Sequence, residues 1–192
     1  MNLRQVCMLV TEQLGKDGYR FVRPIVSGDV VKYVVWPSID EAYADLELKV
    51  LDPSVEFKIS SPMSTFVPAY SAVGTCQMDR GERIELQIIR RLENFFFGRA
   101  LFKALFALYV PAERPPEENV YKLVWTIAGK RVTIDLSDPS RAEADFDGGD
   151  KFRISRDVQS AANALAQKLC GELRPSGLRS ILDRLDKIAC NS

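Results

Sequence analysis

Three groups of residues have the types and spacing that chemistry needs. The first is Asp29 with Glu47 and Lys49. A carboxylate beside one strand and a Glu-x-Lys on the next is the layout of a metal-dependent nuclease or phosphodiesterase. There the acids hold Mg²⁺ and the lysine orients the attacking water. Glu12, on a first helix, would be a further ligand. The same Glu-x-Lys recurs at Glu56 and Lys58, as plain polar-out alternation on a strand produces. The group therefore reads as a solvated strand face, with the nuclease as the alternative.

The second group is Glu143, Asp145 and Asp147, followed by Gly148 and Gly149. Oxygen ligands at alternate positions before glycine match the first half of a Ca²⁺ loop. The second half departs from it: Asp150 stands where an aliphatic residue belongs, and Ile154 where the bidentate Glu belongs. The expectation is a solvated acidic loop over residues 137–150, with weak Ca²⁺ binding as the alternative. The third group is basic: Arg80, Arg83, Arg90, Arg91, Arg99 and Lys103, interleaved with Asp79, Glu82, Glu85 and Glu93. Such interleaving is that of a salt-bridged helix face. Beside Phe95, Phe96 and Phe97 it also leaves peripheral membrane contact as a second alternative.

Composition removes much else. There is no histidine in 192 residues. Ser-His-Asp and Cys-His nucleophile pairs and His-ligated metal sites therefore have no basis. Neither the dinucleotide nor the P-loop glycine motif occurs, nor GxSxG, so no cofactor is implied. Lys+Arg and Asp+Glu are equal at 26 each, which supplies no overall field towards nucleic acid. Cys7, Cys76, Cys170 and Cys190 form no CxxC, and their wide spacing fits free thiols in a reducing compartment. Cys76 has no neighbouring base and reads as inert. The short apolar run at the start is broken by Thr11, Glu12 and Gln13 and reads as no signal peptide. A cytoplasmic location is expected.

The elements that must position these residues are organised around 82–110. At helical spacing Ile84, Ile88, Leu92, Phe95, Phe102, Phe106 and Tyr109 share one face. The first half reads as amphipathic. From Phe95 onward apolar residues appear all round, over a run shorter than the ~20 residues a bilayer requires. Gly98 is expected to end or bend the helix, and a strand at 95–97 is the other reading. Phe96, Phe97, Leu101, Leu105 and Leu108 lie off the main stripe and are the expected surface for a protein partner or a second copy. The Pro-rich connector at 111–116 stops the helix and is a soft boundary within one domain spanning 1–192.

Around this centre the patterns predict a helix over 3–14 and strands at 21–26 and 30–36 joined by a turn at 27–29. A helical turn starts at Ser38. Strands follow at 46–50 and 55–59, then an irregular one near 72–78. A hairpin at 120–127 and 131–136, a short strand at 152–154 and helices at 158–170 and 178–189 complete the chain. This is α+β: a mostly antiparallel sheet, with the long central helix and two C-terminal helices packed on one face. The element order resembles that of the compact chaperones that bind type III secretion substrates, a likeness of order that no motif carries. The functional expectation is a non-enzymatic interaction or assembly module, an adaptor or oligomer, binding through residues 96–110.

Overall fold

The computed structural model describes residues 1–37, 42–63, 67–78, 81–146, 149 and 151–170. Helix α1 spans Leu3–Lys16. Its start is set by a capping box: Asn2 Oδ1 accepts from the Gln5 N–H, and Gln5 Oε1 accepts from the Asn2 N–H, both at 3.0 Å. Val6, Val10 and Leu14 face inward.

The first sheet contains β1 (Arg20–Phe21), β2 (Ile25–Ser27), β3 (Val30–Trp36), β4 (Ala44–Leu51), β5 (Ser54–Ser61), β6 (Tyr70–Gln77) and β8 (Glu117–Glu118). The order is β1-β3-β4-β5-β6-β8, with β2 also on β3. β1 and β2 are thus two pieces of one edge, parted where Pro24 has no N–H to give. All pairings are antiparallel except β6 with β8. Strict alternation drives this sheet. Val31, Tyr33, Leu46, Leu48, Val55, Phe57 and Ile59 are buried on one face, whereas Lys32, Glu47, Lys49, Glu56 and Lys58 point away. Gly74 of β6 makes room for a ring: a Cβ there would lie 2.8 Å from Phe57 Cε1.

Helix α2 (Ile84–Ala107) runs unbroken through Gly98. The expected break is not there. The glycine instead permits close approach, since a Cβ would lie 3.1 Å from Leu123 Cδ1. The strand reading of 95–97 also fails, because three consecutive phenylalanines on a helix point 100° apart and each finds a different neighbour. Phe95 stacks on Tyr70 of β6 at 4.5 Å, Phe96 on Tyr19 after α1 at 6.1 Å, and Phe97 faces the Arg156 guanidinium at 5.7 Å. The first half is not amphipathic either: Glu85, Gln87, Arg91 and Asn94 are buried. The helix is central, meeting α1, both sheets and α3, so it is covered on every side but a narrow stripe through Leu86, Glu93 and Lys103 and at its C-terminal end. There Tyr109 takes φ +56° and stands 90% exposed, while the Val110 N–H reaches back to the Leu105 carbonyl at 3.0 Å.

Residues 111–116 are more than a connector. They carry β7 (Ala112–Glu113), and the Pro116 carbonyl accepts from Ser71 of β6. The second sheet has the order β12-β11-β10-β9-β7, all antiparallel, with β9 (Lys122–Ile127), β10 (Lys130–Asp135), β11 (Ala142–Phe146) and β12 (Phe152–Ile154). Helix α3 (Val158–Cys170) packs on α2 and β12, its start capped by Asp157 Oδ1 accepting from Ser160. The α+β class stands, with two sheets in place of one. The helices are not all laid on one face: α2 is enclosed. The expected helical turn from Ser38 and the second C-terminal helix at 178–189 lie outside the described residues.

Candidate functional site

The first candidate group is brought together only in part. Asp29 sits in the turn before β3, and Lys49 Nζ is 3.5 Å from its Oδ2. Glu47 is engaged elsewhere, accepting from Lys32 Nζ at 3.0 Å. Glu12 pairs with Lys16 on the same helix. The first two are exposed ion pairs of a wet sheet face and the third an exposed pair on α1, all weakened by solvent. Among the described residues no group of three or more acids and cysteines could hold a metal ion.

Two of the three acidic candidates are on a strand and not on a loop. Glu143 and Asp145 lie on β11, opposite Asp135 and Thr133 of β10. Their extended backbone cannot wrap a cation as a Ca²⁺ loop does. They line a 210 Å³ depression together with Asp135, Lys122 and Lys151. Burial works against ionisation of Asp135, yet hydrogen bonds from Ser137 and the two lysines hold its carboxyl below the usual range. Asp147 lies outside the described residues.

The expected partner surface on α2 is corrected most. Phe96 and Phe97 are 6% and 8% exposed, and Leu101 and Leu105 are fully covered. Leu108 is half-buried. The physical reason is the enclosure of α2: its surplus of apolar area is used inside the chain. Four of the basic set are similarly engaged, while Lys103 is exposed. Arg83 pairs with Glu85, and Arg90 with Glu82 at 2.8 Å. Arg91 lies between the rings of Phe57 and Tyr121 and donates to the Gln87 and Thr75 carbonyls. Arg99 donates to the Tyr43 carbonyl, and Arg80 lies outside the described residues. What α2 and its end leave exposed is Leu86, Phe106 and Tyr109 among the apolar residues and Lys103 among the cations. No helix among the described residues is long and apolar enough to cross a membrane.

Two polar clusters were missed at the level of sequence. At the seam of the sheets Arg114 and Glu118, 1% and 3% exposed, form a two-pronged ion pair. Trp125 Nε1 donates to the same carboxylate at 2.5 Å, and the Arg114 guanidinium lies 3.2 Å from the Tyr70 ring centre. Burial pushes the Tyr70 hydroxyl above its ordinary range, so it remains a donor, to the Phe95 carbonyl at 3.0 Å. The second cluster is Arg156, donating to Asn94 Oδ1 at 2.7 Å and to the Leu136 and Asp138 carbonyls. Both clusters tie elements together. Burial likewise pushes the Cys76 thiol up to about 11, which leaves it inert.

What remains is the outer surface of the first sheet. None of its outward side chains is buried. Its edge at β1–β2 is paired on one side only among the described residues. Ile25 and Val26 there are 67% and 58% exposed, and Val22 is exposed beside them. No protein-family model, no curated protein and no solved structure matches the chain.

Proposed function

We propose that the chain is an interaction or assembly module that binds through the outer surface and free edge of its first sheet. The observation that carries this is the edge strand. Among the described residues its backbone is paired on one side only, and Val22, Ile25 and Val26 present apolar side chains beside that ladder. Protected edges carry inward charges or are covered. This one is short and broken at Pro24, with Arg20 and Arg23 beside the break, yet it leaves Val22, Ile25 and Val26 uncovered. Strand addition uses main-chain hydrogen bonds for affinity and alternate side chains for choice of partner. The test is isolation of the native protein from its own cells, wild type beside Ile25→Lys/Val26→Lys. A partner identified with the wild type and lost with the variant supports the reading. An identical set of co-purifying proteins from both would reject it.

A further inference from the structure

We infer that the outer face of the first sheet seats the same face of a second copy of this chain, about a two-fold axis running along the strands between β4 and β5. The inference rests on reading this sheet surface as the binding surface, and it names the occupant. In the register of the sheet Glu47 stands opposite Lys58, and Lys49 opposite Glu56. The four charges form a two-by-two checkerboard, changing sign both along each strand and across the pair. A face of this kind is complementary to itself. Turned over about that axis, Glu47 meets Lys58 of the other copy, and Lys49 meets Glu56.

The neighbouring columns fit the same operation. β3 comes to lie over β6 of the second copy, which sets Lys32 against Val73, Val30 against Thr75 and Val34 against Ser71. The next row sets Asp45 against Ser60. No like charges meet anywhere in the four-strand face. A closed two-fold contact requires that self-complementarity. A depression of 420 Å³ lined by Glu47, Lys49, Glu56, Lys58 and Val73 receives the long side chains. The ion pairs of the single chain, Lys32–Glu47 and Lys49–Asp29, are solvent-exposed and give way at little cost. Four strands about 4.8 Å apart and four outward rows about 6.7 Å apart cover roughly 500 Å² per copy. That is at the small end for a specific contact, so the dimer is weak and sensitive to salt.

Sedimentation of the full chain over a concentration series at low salt tests this. The wild type is expected to show a reversible monomer–dimer equilibrium that weakens as salt is added. Glu47→Lys puts like charges opposite each other twice in the dimer, and so does Lys58→Glu. Each variant alone should dimerise at least about tenfold more weakly. A one-to-one mixture of the two should form a heterodimer of about wild-type strength, because every contact is again between opposite charges. Pairing within one chain cannot produce that result. Should either variant lose its fold by circular dichroism, Lys49→Glu mixed with Glu56→Lys applies the same logic. A wild type that stays monomeric throughout, or variants that dimerise unchanged and do not prefer each other, would overturn the inference. A monomer that still captures an edge-dependent partner would overturn it while leaving the interaction reading intact.

Discussion

Glu118 is the residue on which the joint between the sheets depends. Its carboxylate is buried and takes hydrogen bonds from both Arg114 and Trp125. Removing one partner of such a pair leaves the other charge buried and uncompensated, which costs about 3–5 kcal/mol. Glu118→Gln should therefore lower stability in urea by about that much. Arg114→Met/Glu118→Leu should lose less than Glu118→Leu alone, and a strictly additive double-mutant cycle would show that the pair does not couple. Glu93 carries the opposite lesson. Burial first, and then the Asp17 carboxylate, raise its pKa, against Arg156 and Arg90. Its folded pKa thus lies above the unfolded one, so the folded state holds the proton more tightly. The resulting penalty is fully present above the folded pKa and disappears as pH falls below the unfolded value of about 4.3. Glu93→Gln should stabilise the protein at neutral pH and make no difference in acid. A gain that is the same at both ends would rule out this origin.

At the scale of elements, α2 and β9 set each other's position through one glycine. The space over Gly98 holds Leu123 and Trp125. Leucine there has no room, and overpacking of this kind costs about 1–3 kcal/mol. Alanine sits near the balance point, since its Cβ meets Leu123 Cδ1 at 3.1 Å while it gains about 1 kcal/mol in helix propensity. The expected order of melting temperature is therefore Gly98→Leu well below wild type, with Gly98→Ala close to it. Equal stability for all three would mean that β9 does not lie against the helix. The sequence shows a glycine after three phenylalanines, and that pattern alone does not separate a break from a contact.

For the whole molecule, enclosure of α2 predicts where local opening is hardest. Segments with the most covered side chains open only with the entire fold. In native-state hydrogen exchange the amides of residues 88–102 should be the slowest. The β2 edge and the end of α2 near Tyr109 should be among the fastest. Exchange of 88–102 as rapid as that of α1 would contradict the central placement. The same enclosure leaves the outward side chains of the first sheet more open than the most apolar stretch of the chain.

The local elements were legible because each rests on a local period. The alternation at 46–50 and 55–59, the stripe of α1 and the hairpin at 120–127 and 131–136, seen at 122–127 and 130–135, are all visible as patterns of two or of 3.6. So was the identity of α2 as the longest apolar-periodic segment. Tertiary structure decided everything that depends on who covers whom. A helix apolar all round is equally consistent with a partner site and with a core, and only the neighbours supplied by α1, α3 and two sheets choose between them. Glu143 and Asp145 alternate as on a strand, yet in the sequence they read as a loop because acids crowd together before Gly148 and Gly149, and only pairing with β10 and β12 draws them out. Arg114 and Glu118 look like surface charges beside prolines, and burial by Tyr70, Phe102 and Trp125 is what makes them a joint. Periodicity is written in neighbours along the chain, whereas burial is written in neighbours across it.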